Sequence, residues 1–556
     1  MLFKNFNNYL EKTALILPNN THITYFELQK QVNNVAHQLG DKRKLIFIEV
    51  NNNLASILSY IACIQNNHPV LLLNAESKAQ NHEIIECYQP NIVVDAKGDT
   101  PQINIKNEND LNLHSDLCLL LATSGSTGSP KLVKLSHNNI FSNTQSISSY
   151  LELNDTDRAI TSLKFNYSYG LSIINSHLHM GAAIVITNSS TNDPCFWQLF
   201  SEHKVTSFSG VPYNFELLAK QQFEFKDFPA LRSVTQAGGK LSTFLIKHFA
   251  DMGNKYHYKF YVMYGQTEAS PRISYLPPEY CISHCDFIGI PIPGGTIELL
   301  DVHGDLIKGN NIPGELIYKG PNVMLGYAKN FGELSTKENI TWLHTGDIAI
   351  RNENNLFKIT GRKSRFAKPF GIRVSLDDIQ NELSELAIIN AVTSYNELIV
   401  IAIESYSTKL WPQKNILDLL EKKYQINRVA FSIHIVESLP LLSNGKVDFK
   451  GIKNLVISSK QISKNKIKLF LHFFKEEFLH LAGIKNNTWN NLIEMYSHFF
   501  NDQQIHDTSS FISHAGDSLL YVSISIELER YLGHLPNEWH LQTLDSLEKL
   551  RNNNDL

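Results

Sequence analysis

Short apolar runs alternate along the first 220 residues with segments whose apolar positions recur every three or four residues. HITY (22–25) is β-prone, and Phe26, Leu28, Val32, Val35 and Leu39 then follow at roughly helical spacing. KLIFIEV (44–50) reads as a buried strand, LASILSYIACIQ (54–65) as a helix and HPVLLLN (68–74) as the next strand. The rhythm continues through LCLLLA (117–122), a helical stretch after Ser136, AAIVIT (182–187) and a helix around Phe215 to Lys220. Strand and helix in alternation predict an α/β domain with a largely parallel sheet. No fixed internal repeat is visible.

A chain of 556 residues exceeds what one core can organise, so two to four domains are expected. At FKITGRKSRFAKPFGIR (357–373) the sequence turns basic and glycine-punctuated, and a shorter α+β pattern follows: LDDIQNELSEL as helix, AVTSY and LIVIAIES as strands. A boundary just after Arg362 is expected. Further on, Ile467, Phe470, Leu471, Phe474, Phe478 and Leu481 share one face of an amphipathic segment, read as a linker helix packed on a neighbouring domain. A membrane-surface helix would carry more Lys and Arg.

Lys and Arg total 50 against 54 Asp and Glu, which leaves no basic surplus for a nucleic-acid partner. Apolar runs fall well short of the ~20 residues of a membrane helix. Six cysteines are sparse, and no leader is apparent, so a soluble protein of the reducing cytoplasm is expected. Cys281, His284 and Cys285 are close in sequence but lack further zinc ligands at suitable spacing, and read as loop or core residues.

The most informative stretch is LLLATSGSTGSPKLVKLSHNN (119–139). An apolar strand runs into Thr123, Ser124, Gly125, Ser126, Thr127, Gly128, Ser129, Pro130 and Lys131. Hydroxyls, glycine turns and a cation in nine consecutive residues can wrap a polyphosphate. GxxxxGK[ST] is not satisfied, so this is not the common P-loop.

TSGSTGSPK resembles the signature loop of the adenylate-forming superfamily, which comprises acyl-CoA synthetases, luciferases and the adenylation domains of nonribosomal peptide synthetases. The resemblance continues in the family's order through AGG (237–239), YGQTEAS (264–270), GELIYKGPNVMLGY (314–327), HTGD (344–347), ITGRKSRFAKPFGIRV (359–374) and LPLLSNGKVD (439–448), covering Thr24 to Lys450. It implies an adenylation core over 1–362, a mobile C-terminal subdomain over 363–450, a partly helical linker over 451–485 and an acyl or peptidyl carrier domain, a helical bundle, over 486–556. The carrier reading rests on SSFISHAGDSLLYVSISIELERYLGHLP, where Gly516, Asp517, Ser518 and Leu519 match the family's GDSL. Ala515 stands where a glycine is usual.

The resemblance also assigns roles. An acid becomes a good acyl donor as a mixed anhydride with AMP, but its formation brings two anions together. At ~4 Å and an effective dielectric near 20, each like-charge pair costs roughly 4 kcal/mol, so cations should dominate the catalysis. Lys446 would bridge the carboxylate and the α-phosphate of ATP, Glu268 would hold Mg²⁺ and Thr267 would bond the α-phosphate. Tyr264 would stack on adenine, beside the flat backbone of Ala237, Gly238 and Gly239. Asp347 would accept both ribose hydroxyls, with Arg362 beside the same sugar. Ser364 lies at the family's hinge, where Asp or Lys is usual, and Gly371 would line the thiol's entry path. Ser518 would carry 4'-phosphopantetheine, added by a separate phosphopantetheinyl transferase, and a tether of 451–485 would reach roughly 30 Å. A downstream acyl-accepting enzyme is then implied.

Substrate choice is expected around Asn166, Tyr167, Gly170 and Val211. Amino-acid-loading relatives carry an aspartate at the place of Asn166 to meet the α-ammonium, and a neutral amide cannot supply that charge. A small acid without an α-amino group is expected, aryl or otherwise unsaturated given Tyr167 and Tyr169, with a fatty acid still open. Three other readings stand beside this one. They are an acyl-CoA ligase whose C-terminal module only docks, an amino-acid-loading adenylation–carrier protein, and a degenerate nucleotide-binding scaffold.

Overall fold

The computed structural model describes residues 2–122, 131–363, 365–367, 369, 374–395, 398–408, 411–424, 426, 428–442, 446–458, 489–500, 505–511, 518–533, 535–536 and 539–552. The expectations for Thr123 to Gly128, Ser364, Gly371 and the amphipathic segment 467–481 lie outside them. By compactness the chain divides into one unit of 1–364 with 384–386 and 440–448, and a second of 365–383, 387–439 and 449–556.

The first unit holds two large sheets. In the seven-stranded sheet, Leu117–Ala122, Val70–Asn74, Ile46–Val50 and Ile92–Ala96 run parallel at the centre, and antiparallel strands close the edges. In the nine-stranded sheet the parallel centre includes Arg158–Ile160, Ser207–Gly210, Ser233–Gln236 and Lys259–Gly265. Central strands are buried on both faces, as crossover helices require. The helix Tyr25–Leu39 starts at Thr24, whose hydroxyl accepts from the Glu27 N–H while Glu27 bonds back, and it buries Leu28, Val32, Val35 and Leu39. Pro212, with its preset φ and no N–H to lose, starts the helix Pro212–Lys220 earlier than the apolar spacing around Phe215 suggests. Cys281 and Cys285 are buried core residues, the first with Sγ 3.2 Å from the Phe260 carbonyl.

A third, antiparallel sheet of four strands includes Gly314–Lys319, Leu343–Arg351 and Phe357–Arg362. Ligands of α/β sheets gather beyond the carboxyl ends of parallel strands. Val211, Ala237 and Tyr264 stand there in this unit.

In the second unit, Asn390–Tyr395 pairs antiparallel with Leu398–Glu404, which pairs parallel with Phe431–Val436. Helices Leu376–Glu385, Gln413–Tyr424 and Phe449–Ser458 accompany them. Toward the C-terminus, helices Leu492–Phe500, Ser518–Leu532 and Leu544–Asn552 share a hydrophobic cluster that includes Met495, Phe511, Ile524, Leu528, Trp539 and Leu547. No helix among the described residues is long and apolar enough to cross a membrane.

Candidate active site

Asp347 and Arg362 face each other on neighbouring strands of the four-stranded sheet. Arg362 Nε donates to Asp347 Oδ1 at 3.0 Å, and the Tyr264 hydroxyl donates to Oδ2 at 2.5 Å. The Asp347 N–H donates to Thr345 Oγ1 at 3.1 Å, which fixes the turn of the strand there. Asp347 is buried, whereas the Arg362 side chain is 61% exposed. Burial and the neighbouring Asp347 charge hold the Tyr264 phenol well above its usual pKa, so it remains a donor. A carboxylate accepts up to about four hydrogen bonds, the capacity that a pair of vicinal hydroxyls calls for.

Glu268 lies in the single 3₁₀ turn Thr267–Ala269 that follows the strand Lys259–Gly265. Its Oε1 accepts from the Tyr327 hydroxyl at 2.9 Å, and Lys131 Nζ stands 3.2 Å from the centre of the Tyr327 ring. Tyr327 belongs to the three-residue strand Gly326–Ala328, which pairs antiparallel with Leu132–Ser136, the strand that begins just after the serine-glycine stretch of the sequence. Backbone pairing therefore puts a cation, a ring and a carboxylate in one column. Burial and Glu268 raise the Tyr327 pKa, so the phenol is a neutral donor to the carboxylate.

Lys446 closes a hairpin in which Leu441 pairs with Val447 and the Leu442 N–H donates to the Lys446 carbonyl at 2.7 Å. Its Nζ is 5.5 Å from the centre of the Tyr167 ring. Burial lowers its pKa, the Arg362 charge lowers it further, and Glu268 opposes both. Tyr167 also meets the AGG turn. At Gly238, where φ is +88°, a Cβ would stand 2.6 Å from Tyr167 Oη and 3.1 Å from Val211 Cγ1, so glycine is needed for both conformation and space. The Ala237 N–H donates to the Gly210 carbonyl at 3.2 Å, and Gln236 Nε2 to the Gly239 carbonyl at 2.8 Å. Desolvation pushes the Tyr167 pKa up to about 12.

Tyr264, Glu268, Asp347, Arg362, Lys446, Tyr167, Val211 and the AGG turn thus fall in one unit and are linked by direct contacts or by charge. Thr267 shares the turn of Glu268. Asn166 is a half-buried turn residue just before the helix Ser168–His179. Gly170 has a packing reason to be glycine, because a Cβ there would lie 2.4 Å from the Lys164 carbonyl oxygen. Ser518 begins a helix in the second unit.

Two residues that sequence reasoning left unassigned join the site. Tyr327 ends a motif with no cue to its partners, and Arg272 follows Glu268 by four positions, with its guanidinium 4.9 Å from the ring of Tyr169. Among the described residues no cluster of three or more His, Cys, Asp or Glu could hold a metal by itself. One carboxylate nevertheless fits Mg²⁺, which keeps several waters and takes phosphate oxygens.

The family profile described as "AMP-binding enzyme" matches residues 2–328. The 2-succinylbenzoate–CoA ligase of Bacillus pumilus is 26% identical over 379 residues, 64% of this chain and 76% of that protein. The feruloyl-CoA synthase of an Amycolatopsis species is 25% identical over 269 residues, and the match spans 48% of this chain and about half, 54%, of that relative. The structure of O-succinylbenzoate coenzyme A synthetase from Bacillus subtilis, in complex with ATP and magnesium ion, shares the fold. Its TM-score is 0.65 at 20% identity, covering 81% of this chain and 98% of that one.

Proposed function

This chain belongs to the AMP-binding enzyme family, and we propose that it uses ATP and Mg²⁺ to convert a small carboxylic acid into its acyl-adenylate, then delivers the acyl group to a phosphopantetheine thiol on its own Ser518. The observation that carries the first step is the convergence of Lys446, Glu268 and Arg362 beside the Tyr264–Asp347 pair.

Each residue then has a task. Asp347 accepts the ribose hydroxyls and Arg362 keeps it oriented. Tyr264, pinned through its hydroxyl, offers a ring to the base, and the AGG turn lets the base approach the backbone. Glu268 would hold Mg²⁺, with Tyr327 fixing one of its oxygens; the ion supplies charge neutralisation at the phosphates. Lys446 lies between the nucleotide side, through Arg362 and Glu268, and the acid side, through Tyr167. As the acid's oxygen bonds to the α-phosphorus and pyrophosphate leaves, its ammonium offsets the charge shared by the two reactants. Thr123 to Gly128 and Lys131 are assigned to the departing phosphates.

For the second step, Ser518 at the start of a helix that contributes Ile524 and Leu528 to a hydrophobic cluster supports a carrier module. A phosphopantetheinyl transferase would load it, the linker 451–485 would let it travel, and Ser364 and Gly371 would serve as hinge and thiol path. Asn166 and the neighbouring tyrosines favour an acid without an α-amino group.

A second reading is delivery to free coenzyme A, favoured by the similarity to CoA ligases. ATP–pyrophosphate exchange across amino, aryl, fatty and dicarboxylic acids tests the first step. Intact-mass measurement after co-expression with a transferase tests the second. Phosphopantetheine on Ser518, followed by its acylation, supports delivery in cis; acyl-CoA as the only product would replace that part.

A further inference from the structure

The strands Ser207–Gly210 and Ser233–Gln236 pair in register, Ser207 with Ser233 and Ser209 with Thr235. Side chains alternate across a sheet, so these four hydroxyls share one face. Buried parallel strands ordinarily carry Val and Ile on both faces. Here the four line a small, partly open cavity of about 10 Å³ together with Tyr169, His177 and Arg272. Val211 and Ala237 follow two positions after Ser209 and Thr235, so the strands that line the cavity lead straight to Val211 and the AGG turn.

Several of the cavity's polar groups answer one another. Tyr169 Oη is 2.7 Å from Thr235 Oγ1, Ser209 Oγ is 2.8 Å from the same atom, and His177 Nε2 is 3.0 Å from Ser207 Oγ. Burial lowers the pKa of His177, which leaves it neutral. Arg272 is answered only in part. It is only 2% exposed, its Nε has no hydrogen-bond partner, and no carboxylate lies within 4 Å of its guanidinium among the described residues. Its guanidinium lies against the face of Tyr169, 4.9 Å from Cζ, and also hydrogen-bonds the Tyr150 hydroxyl, so its partners are neutral phenols and not an anion. A buried cation without an anion is costly, and a guanidinium is built for two-point contact with a carboxylate.

Two cations therefore flank a pair of rings. Lys446 Nζ is 5.5 Å from the Tyr167 ring, that ring is 6.3 Å from Tyr169, and Arg272 lies beyond it. We propose that the acid activated by this protein is a dicarboxylic acid, with one carboxylate reacting beside Lys446 and the other held by Arg272. The proposal rests on the acid-activation reading and narrows its substrate class. Unlike the bonded hydroxyls, an unbalanced positive charge also disfavours an α-ammonium.

The test uses the full-length protein with α,ω-dicarboxylic acids of three to eight carbons and benzene dicarboxylates, each beside its half methyl ester. In ATP–pyrophosphate exchange, at least one diacid should exceed its half ester by roughly 100-fold in kcat/KM, because a site left with an unpaired buried group rejects the analogue that lacks the partner. Arg272→Gln should erase that ratio and Arg272→Lys should restore part of it. Half esters equal to or better than every diacid in the unmodified protein would overturn the proposal whether or not the variants fold, and so would an unchanged ratio in Arg272→Gln. Thermal stabilisation by the diacids without ATP separates the two levels. Arg272-dependent stabilisation without exchange would keep the subsite and sink the activation reading. Exchange with monocarboxylic acids alone would do the reverse, and neither signal would remove both.

Discussion

Lys131 Nζ stands 3.2 Å from the centre of the Tyr327 ring, and the same tyrosine donates its hydroxyl to Glu268. One side chain thereby spaces a cation assigned to phosphate from a carboxylate assigned to Mg²⁺, and keeps them from neutralising each other directly. Tyr327→Phe removes only the hydroxyl, so apparent Mg²⁺ affinity in pyrophosphate exchange should weaken by less than about tenfold. Tyr327→Leu also removes the ring, worth roughly 1–2 kcal/mol to the lysine, and should raise KM for ATP as well. Equal effects of the two variants on both constants would count against this division of labour.

Lys446 should be needed for making the adenylate and not for consuming it. Lys446→Ala is expected to lower exchange by roughly 100- to 1,000-fold, the scale of losing one preorganised charge contact. Transfer to a thiol from supplied acyl-adenylate should be nearly unchanged.

The pH dependence has a definite sign. The protonated lysine is the working form, and burial followed by Arg362 lowers its pKa in the free enzyme, so activity is lost as pH rises through that depressed value. The alkaline limb of kcat/KM should therefore fall below the ordinary lysine range. In kcat it should move upward, because bound phosphates favour the ammonium. Lys446→Ala should remove the limb from the residual rate.

Gly238→Ala places a methyl carbon against Tyr167 and Val211 in a backbone conformation that L-residues rarely adopt. Destabilisation of the first unit by roughly 1–3 kcal/mol is expected in denaturant unfolding, with KM for the acid raised because Tyr167 must give way. Gly304→Ala is a useful control. Its φ is +89° but a Cβ there meets nothing within 4 Å, so it should show backbone strain without loss of acid binding.

Ser518→Ala should leave pyrophosphate exchange intact while abolishing both the mass gain from the transferase and the covalent acyl product. Persistence of a covalent thioester in that variant would remove Ser518 from the proposal.

The α/β rhythm was readable because each element is specified locally. The helix Leu54–Gln65 and the strands Ile46–Val50 and Val70–Asn74 follow directly from apolar spacing. AAIVIT was less exact, since regular pairing holds only Ala183–Val185 against its neighbours. Motif order brought Tyr264, Asp347 and Arg362 into one hypothesis, yet their hydrogen bonds depend on strand register between segments 83 and 15 residues apart. Tyr327 and Arg272 were illegible for the same reason: a tyrosine between loop and carboxylate, or an arginine in a hydroxyl-lined interior, differs from a surface residue only once distant strands are assembled. Gly170 shows the opposite limit, because its local contact with Lys164 accounts for the glycine without reference to substrate.

Ala122 and Leu132 are rung partners in the ladder between Leu117–Ala122 and Leu132–Ser136. The serine-glycine stretch between them is consequently stapled at both feet before any nucleotide arrives. The cost of bringing those two ends together is charged to folding of the sheet and not to nucleotide binding. Inserting a few residues between Ala122 and Leu132 should accordingly harm nucleotide grip far more than it harms the fold.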